Sequence, residues 1–523
     1  LLTRAAQCST RYLRDDMFNW GCVEWTQGQF FFDSLDVKVD ECVNRGIKLI
    51  AYIGFCPRWA SSGPDTGVFA DSFYLYPPLH LFKPVFDSIQ TDSINPDNYF
   101  ARYVYRLVKR YGPKGDFWNH NNDPNAIKRW EVWNEPNSTR FWKFPVKEYD
   151  ITNDSGLCRL YVQMCAVAAK AESAARAHHN AGDEDSRILV TSVAGVSYPQ
   201  YYPCVRGDNY IKMFYYFDSL DGKYIDAHIA IHPYQTYVDS NQQRFLDSIF
   251  RKDIDSVRAI MKRYGKVDKE VWVTEIGWTT ATNHTTLYEQ ANAVNKFFVS
   301  SLGSVERIDG PYTKVFWYDL VNDGTSPGEV EDNWGLYEFN FNPKPSRYAF
   351  SQLHSKLARM KFNRLVVTND TTTVYEFENS KSADSIRKTW VCWKKTGYSQ
   401  GTNTVEIPVK TNAVDTISIA YNNNPGSERI STNAFGYLSI ALDSTPVYIV
   451  EPIESLQKRP DMIVDSIWTS PNPPQVNNPV TFYARIKNKG NADFDLDEPP
   501  FRDSVCFYVN GEKKSDTVHI GHI

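Results

Sequence analysis

The stretch WEVWNEPN, residues 130–137, joins an apolar run to an abrupt polar end. Trp130 and Trp133 belong to a run that is typical of a buried β-strand. Asn134 and Glu135 follow directly, and Pro136 ends the pairing because it has no N–H to give to a neighbouring strand. The stretch therefore predicts a buried strand that presents an amide and a carboxylate at its C-terminal end.

A second stretch of the same kind, VWVTEIGW, covers residues 271–278. Its apolar run leads to Glu275, so the chain carries two carboxylates at the ends of aromatic-rich strands. Hydrolysis of a glycosidic bond uses such a pair, one as acid and base and the other as nucleophile. We therefore expect the rest of the chain to bring Glu135 and Glu275 together.

Strands and helices alternate up to about residue 320, and the strands are continuously apolar, which is typical of parallel βα units. The sequence predicts seven strands, near 12–20, 47–55, 127–135, 187–195, 224–234, 270–278 and 313–320. It also predicts six helices: the end of one at 1–12, and five near 35–45, 99–111, 157–179, 247–264 and 287–302. A (β/α)8 barrel, which places its active site at the C-terminal ends of its strands, fits this pattern. A doubly wound open sheet is the alternative, and the absence of a Gly-rich phosphate turn after any strand weighs against it.

After about residue 360 the residue pattern changes to short β-rich runs separated by Asn, Gly, Ser and Asp, as in a β-sandwich. We assign residues 1–360 to the barrel and 361–455 to an accessory sandwich that should pack on it. The segment QKRPD at 457–461 has the composition of a linker. Residues 461–523 resemble the opening strands of an immunoglobulin-like module, which we expect to be incomplete.

Composition narrows the range of functions. A formal net charge of -5 gives no reason to expect nucleic acid as a partner. The aromatic content of 15% favours sugars modestly, because pyranose rings stack on aromatic faces. The nine cysteines are scattered without metal-ligand spacing, and we interpret most of them as small buried hydrophobes. No apolar run is long enough to span a bilayer, and neither a metal nor a cofactor is implied.

The motifs together resemble clan A glycoside hydrolases: WNEPN, then HPY at 232–234, VTEIGW, and FWYDL at 316–320. The opening RDDMFNWGCVEWTQGQF, the loop GFCPRWAS and the later NWGLYEFNFNPKPSRYAF are most similar to glycoside hydrolase family 39 and its relatives. In that clan the acid/base glutamate ends strand four and the nucleophile ends strand seven. The resemblance therefore implies that the strand at Tyr12 is strand two and that strand one lies before Leu1.

The resemblance assigns roles to the candidate site residues. Glu135 is expected to be the general acid and base, and Glu275 the nucleophile, kept ionised by hydrogen-bond donors. Asn134 would donate to the sugar 2-OH. The hydrogen-bond partners expected around Glu275 are Arg14, Tyr234 and His232, although each has the alternative of being a satisfied polar group of the core.

Aromatic side chains are the other candidates for substrate binding. Trp317 is expected to form the floor under the cleaved sugar, and Trp59, Trp278 and Trp334 are candidate outer platforms. The pairs Asp15–Asp16 and His178–His179 carry no recognisable metal spacing, and we interpret them as rim and helix-surface groups.

The sequence thus predicts a secreted, retaining glycoside hydrolase that cleaves a β-linked poly- or oligosaccharide. Two alternatives stay open: a related clan A endo-glycanase acting on mannan, glucan or arabinan, and a non-catalytic carbohydrate-binding or adhesion protein built on the same barrel. The presence of both glutamates weighs against the second. The sugar, the linkage and the oligomeric state are not determined by these residues.

Overall fold

A computed structural model provides the fold of the chain. It describes residues 1–67, 70–88, 93–182, 185–196, 204–234, 247–305, 314–358, 360–368, 371–380, 386–395, 403–409, 413–433, 437–451, 462–470 and 481–488, together with four two-residue strands between 504 and 519. Most of the predicted immunoglobulin-like module and the predicted linker at 457–461 lie outside these residues.

Seven parallel strands form one sheet in chain order, each hydrogen-bonded to the next. Their bounds are β1 Tyr12–Asp15, β2 Lys48–Ile53, β3 Arg129–Val132, β4 Arg187–Ala194, β5 Ala227–His232, β6 Val271–Ile276 and β7 Lys314–Trp317. Every residue of β3 and of β5 is buried, including Arg129 and Glu131 in β3 and His228 and His232 in β5, so both faces of these parallel strands are covered. The seven strands confirm the predicted barrel and the strand count made from the sequence.

Helices connect the strands and cover the outside of the sheet. They are α1 Leu2–Gln7, α2 Trp20–Val23, α3 Asp33–Asn44, α4 Tyr99–Tyr111, α5 Asp154–His178, α6 Gly207–Leu220, α7 Asp247–Arg263, α8 Leu287–Val305 and α9 Pro345–Leu357. The sequence did not predict α2, α6 or α9, and the strand predicted near 12–20 ends at Asp15, followed by a short helical turn and α2. None of the described helices is both long and apolar enough to cross a membrane.

Local signals in the sequence set the helix ends. The side chain of Asn98 accepts a hydrogen bond from the backbone N–H of Ala101 at the start of α4, and Asn153 caps Gly156 in the same way at the start of α5. Gly46, predicted to stop α3, has φ +68, a conformation that favours glycine.

Strands β1 and β7 are the two edges of the barrel sheet among the described residues. The rings of Tyr12 and Phe316 meet across this opening with centroids 6.3 Å apart. This opening is the position that the resemblance assigns to strand one. That a strand before Leu1 fills it stays a prediction.

The second half of the chain forms antiparallel sheets. Strands β8 Lys361–Thr368, β9 Thr372–Ser380, β10 Ile386–Lys394, β11 Asn403–Pro408, β12 Ala413–Ser418, β13 Ser427–Ser431, β14 Tyr437–Leu442 and β15 Val447–Val450 make a six-stranded sheet in the order β13-β12-β15-β10-β9-β8 and a two-stranded sheet of β11 and β14. One side of this sandwich shares an apolar core with α8 and α9 of the barrel, which includes Val299, Leu353, Tyr375 and Tyr448. The sandwich therefore packs on the barrel, as the sequence predicts.

Backbone contacts divide the chain into two compact units. One comprises Leu1–Glu378 and Thr389–Val450, which is the barrel with most of its sandwich, and the other comprises Asn379–Lys388 and Glu451–Ile523. In the second unit, β16 Met462–Ser470 pairs antiparallel with β17 Thr481–Asn488. The assignment of this unit to an immunoglobulin-like module, and the domain limits 1–360, 361–455 and 461–523, stay predictions.

The eight described cysteines are all free thiols. Six of them are buried, Cys22 is exposed and Cys204 is intermediate. Most therefore behave as the small hydrophobes expected from their scattered positions.

The contact between helix α8 and the sandwich gives a stability prediction. A Cβ added at Gly303 would lie 2.3 Å from the ring of Tyr375, which is fully buried and cannot move aside. We expect Gly303→Ala to lower the free energy of unfolding by about 1–2 kcal/mol, because overpacking outweighs the gain of about 1 kcal/mol in helix propensity. Urea denaturation followed by tryptophan fluorescence measures this change.

Gly182→Ala is the matched control, because a Cβ there has nothing within 4 Å. Its free energy of unfolding should change little. A Gly303→Ala protein as stable as the wild type would show that the sandwich does not pack against α8 in this way.

Candidate active site

The candidate site residues lie where the barrel strands end. Arg14 is in β1, Glu275 is in β6, and His232 and Trp317 are the last residues of β5 and β7. Glu135 lies three residues beyond β3, in a turn that the proline-containing motif imposes. The parallel sheet thus brings side chains that are far apart in sequence to one rim.

Two hydrogen-bond donors hold the carboxylate of Glu275. The Tyr234 hydroxyl donates to Oε1 at 2.6 Å, and the Arg14 guanidinium donates to Oε2 at 3.1 Å. Burial and the neighbouring Glu275 raise the pKa of Tyr234 well above its ordinary value, so its hydroxyl keeps its proton and stays a donor. The placement of Arg14 and Tyr234 is the one expected from the sequence.

His232 contacts Glu135 instead of supporting only Glu275. Its Nδ1 lies 3.0 Å from Oε1 of Glu135 and 3.8 Å from Oε2 of Glu275. One oxygen of Glu135 and one of Glu275 lie within 4.8 Å of each other and of one imidazole nitrogen. The two glutamates that the sequence pairs are therefore adjacent in space.

A third carboxylate, Glu131, lies beneath this pair and was not identified from the sequence. It accepts hydrogen bonds from Arg14 at 2.5 Å, from Ser192 at 2.7 Å and from Thr274 at 2.7 Å. Its signal in the sequence was a glutamate between Trp130 and Val132, inside a strand expected to be buried, because a fully buried carboxylate needs partners of opposite charge.

The charges of the cluster follow from these contacts. Burial disfavours the ionised form of Glu131, but the charge of Arg14 and the contacts of His232 outweigh burial and lower its pKa to about 2. Burial likewise disfavours a charged His232, but Glu275, Glu131 and Glu135 together raise its pKa to about 9. At neutral pH an imidazolium, a guanidinium and the carboxylate of Glu131 therefore lie beside the carboxyl groups of Glu135 and Glu275.

The proton positions on His232 agree with its partners. As an imidazolium it donates from Nδ1 to Glu135 and from Nε2 to the hydroxyl of Thr274, 3.1 Å away. Thr274 in turn donates to Glu131. A continuous chain of hydrogen bonds therefore fixes the imidazole ring, and with it the carboxyl group of Glu135.

Asn134 is oriented by Arg14. The guanidinium donates to Oδ1 of Asn134 at 2.8 Å, which leaves the amide Nδ2 as the group that can donate to a ligand. This orientation fits the role expected from the sequence, in which the amide donates to a sugar hydroxyl.

Of the four candidate tryptophans, two line the cavity and two do not. Trp317 and Trp334 line the cavity that holds the two glutamates. The ring of Trp334 meets that of Tyr234 edge to face at 5.4 Å, so it supports the hydrogen-bond partner of Glu275.

The structure does not support two of the predicted sugar-binding tryptophans, Trp278 and Trp59. Trp278 is only 1% exposed and stacks beneath Trp317 at 5.7 Å, so it offers no face to a sugar. Trp59 is outside the cavity lining and donates from Nε1 to the backbone oxygen of Glu24 at 3.1 Å. Both rings pack against other side chains because burial of an indole is more favourable than its exposure.

The cavity has a volume of about 1690 Å³ and reaches from the two glutamates to the opening between β1 and β7. Asp319 of the FWYDL motif lines it, and burial raises the pKa of this carboxyl to about 7. One of its oxygens accepts a hydrogen bond from the backbone N–H of Val321 at 2.9 Å.

Two groups of described residues bring carboxylate and imidazole atoms close enough to hold a cation. One is the trio Glu135, His232 and Glu275, whose own hydrogen bonds occupy its atoms. The other comprises Asp116, His120 and His179, and here Lys109 accounts for the geometry: its Nζ binds Asp116 at 2.8 Å and its backbone oxygen lies 3.0 Å from His179. The predicted helix-surface pair His178–His179 thus contributes one member to this second group.

One known family of glycoside hydrolases matches part of the chain. Residues 146–347 match the model of glycosyl hydrolases family 17. This segment contains β4–β7 and therefore Glu275, while Glu135 lies before it. The match covers less than half of the chain.

Solved structures with this fold include several glycoside hydrolases. A family 39 glycoside hydrolase from Bacteroides cellulosilyticus WH2 is 19% identical, with a TM-score of 0.57 over 86% of this chain and 77% of that chain. A GH39 enzyme from Xanthomonas axonopodis pv. citri is 16% identical, with a TM-score of 0.55 over 86% and 91%. A monomeric beta-xylosidase from Caulobacter crescentus CB15 is 16% identical, with a TM-score of 0.53 over 86% and 92%.

The chain therefore has the fold of the clan A glycoside hydrolases, as its motifs predict. The fold and the matched segment together support a glycoside hydrolase, the enzyme class expected from the sequence. At these identities the likeness describes the fold, so the roles of individual residues rest on the geometry of the site.

The charged state of His232 gives a pH prediction. Its folded pKa of about 9 exceeds the ordinary value of 6.5, so this group stabilises the fold fully below pH 6.5 and loses that contribution as the pH rises through 9. We expect the fall in unfolding free energy between pH 6 and pH 9.5 to be smaller in His232→Gln than in the wild type, by on the order of 3 kcal/mol.

Urea denaturation at the two pH values measures the difference. His178→Gln, a change at an exposed histidine outside the site, is the control and should follow the wild type. An identical pH dependence in His232→Gln and the wild type would contradict the charged imidazole.

Proposed function

We propose that this protein is a retaining glycoside hydrolase acting on a β-linked oligo- or polysaccharide. The observation that carries the proposal is the pair Glu135 and Glu275, whose closest oxygens lie within 4.8 Å of each other. Retaining enzymes have carboxyl groups about 5–5.5 Å apart, whereas inverting enzymes leave about 6.5–9.5 Å for a water between them. The short separation supports direct attack on the sugar.

Glu275 is the proposed nucleophile. Its two oxygens accept hydrogen bonds from Tyr234 and Arg14, which stabilise the ionised form without neutralising it. In the first step one of its oxygens forms a bond to the anomeric carbon while the bond to the leaving oxygen breaks, which gives a covalent glycosyl-enzyme.

Glu135 is the proposed acid and base. It transfers a proton to the leaving oxygen in the first step, and in the second it takes a proton from the water that attacks the anomeric carbon. The imidazolium of His232 donates to Glu135 from 3.0 Å and holds the carboxyl group in place. The carboxylate that gave up its proton is then next to a cation, which stabilises it between the two steps.

Arg14 and Asn134 act on the same sugar. The proposed role of Asn134 is to donate from its amide nitrogen to the 2-OH, a hydrogen bond that strengthens as positive charge develops on the ring, and the contact of Arg14 with its Oδ1 supports this role. Trp317 lines the cavity beside Glu275 and is the proposed floor beneath the ring.

The contacts of the site define the reaction more closely than they define which sugar is cleaved. One of the solved structures with this fold is described as a beta-xylosidase, so β-xylosides are the first compounds to test. Mannan, glucan and arabinan fragments represent the alternative of a related clan A endo-glycanase. A binding or adhesion protein is disfavoured because it would not need both carboxylates with their donors intact.

We also propose that the protein is secreted, since a polysaccharide too large to cross a membrane must be met outside the cytoplasm. Immunoblotting of cell and medium fractions from the source organism, with a cytoplasmic marker, tests this location. Protein found only with the cytoplasmic marker would reject it.

The stereochemistry of the first-formed product tests the mechanism. Proton NMR recorded during hydrolysis of the preferred β-glycoside should show the β-anomer first, with the α-anomer appearing only by mutarotation. An α-anomer as the first product would reject the double displacement.

Substitution of the two glutamates should give different defects. Glu275→Ala should lower kcat with an aryl β-glycoside more than about a thousandfold, and azide should yield the α-glycosyl azide. Glu135→Ala should keep the formation of the glycosyl-enzyme with an activated phenol, lose turnover by about 10²–10⁴-fold, and yield the β-glycosyl azide. Glu406→Ala, at an exposed position of the sandwich, is the control and should keep full activity.

A further inference from the structure

An aromatic ridge that the proposed catalytic steps do not use follows β2, the strand next to the one that Glu135 follows. It consists of Phe55, in the loop after β2, and Tyr74. Phe55 lines the cavity together with Asn134 and Glu135. Tyr74 is 40% exposed, and its ring meets that of Phe55 edge to face at 5.6 Å. The ridge therefore extends from the cavity wall to the surface.

The ring of Phe55 is held by its neighbours on three sides. Besides Tyr74, it contacts Tyr52 at 5.3 Å and Trp133 at 5.4 Å, both nearly perpendicular. Phe55 also has φ +51, a left-handed conformation that is unfavourable for a bulky residue. Such strain persists where the surrounding structure imposes it, and it is concentrated at functional sites. Here it fixes an aromatic ring at the cavity wall.

Tyr74 is exposed but held in place by its backbone. The Ser61 hydroxyl donates to the carbonyl oxygen of Phe73 at 2.6 Å, and the backbone N–H of Lys143 donates to that of Leu75 at 3.0 Å. The residues on both sides of Tyr74 are therefore anchored. A fixed, exposed aromatic ring offers a binding face whose ordering cost is already met by the fold.

The position of the ridge indicates which sugar it would meet. Phe55 follows β2, and Glu135 follows the adjacent strand β3, whereas Glu275 and Trp317 belong to β6 and β7. The ridge therefore lies on the side of the proposed acid, and Trp317 lies on the side of the proposed nucleophile. The acid protonates the leaving oxygen, so the leaving group lies on its side of the cleaved bond.

We propose that Phe55 and Tyr74 form a binding subsite for the sugar ring of the leaving group. This inference rests on the proposed hydrolase function and narrows its substrate class to chains of two or more sugars. The apolar face of a pyranose ring packs on the tyrosine face, and the contact positions the glycosidic oxygen next to Glu135. A glycoside whose leaving group has no ring does not use this subsite.

Comparison of two substrates with the same cleaved sugar tests the subsite. One is the trisaccharide of the sugar that the wild type hydrolyses best, and the other is the β-glycosyl fluoride of that sugar, whose leaving group is a single ion. We expect Tyr74→Ala to lower kcat/KM about tenfold for the trisaccharide and to leave kcat/KM for the fluoride unchanged. Tyr74→Phe, which keeps the aromatic face, should retain the wild-type value for both.

Phe82→Ala is the control for loss of an exposed aromatic ring. Phe82 is 64% exposed and meets the ring of Tyr149, which does not line the cavity, whereas Tyr74 meets Phe55, which does. Phe82→Ala should keep both activities. An equal loss on the trisaccharide and the fluoride in Tyr74→Ala, or no loss on either, would overturn the subsite. A wild type that hydrolyses no glycosyl fluoride and no oligosaccharide would instead reject the hydrolase assignment, and the subsite with it.

Discussion

The guanidinium of Arg14 is the group on which the active-site geometry depends. Its three nitrogens donate separately to Glu131 from β3, to Glu275 from β6 and to Asn134 after β3. Burial alone would favour loss of its charge, but Glu131 and Glu275 raise the pKa of Arg14 above its ordinary value. The planar fork suits this task, since it fixes several acceptors at defined angles where an ammonium would not.

Charge balance explains why a third carboxylate belongs to the site. Glu131, Glu135 and Glu275 face two cations, Arg14 and His232, so the fully ionised cluster carries one net negative charge. A single proton on a carboxyl group makes the cluster neutral, and this is the state that an enzyme with one acid and one nucleophile needs. Glu131 is then the fixed anion that keeps both cations in place while a proton moves elsewhere.

Rigid surroundings hold the unfavourable backbone of the site. Trp133 and Glu135 have φ of +64 and +43, on either side of the oriented Asn134. Buried aromatic packing on the β3 side, including the contact of Trp133 with Trp142 at 4.8 Å, supplies the constraint. Elsewhere, the sandwich covers α8 and α9, which otherwise would expose apolar residues such as Val299 and Leu353.

The sequence by itself determined the strands, the order in which they follow one another, and the two glutamates at their ends. Continuous apolar runs that end in polar residues are local features, so they can be recognised from the sequence alone. The hydrogen-bond partners of those glutamates could not all be predicted from the sequence. Tertiary structure decided that Glu131 shares Arg14 and His232 with Glu135 and Glu275, that Trp278 is buried beneath Trp317, and that Phe55 lines the cavity with Tyr74 against it. Exposure and hydrogen bonding depend on which side chains meet in the fold, and residues such as Arg14 and Glu275, which are 261 positions apart, carry no local signal of that meeting.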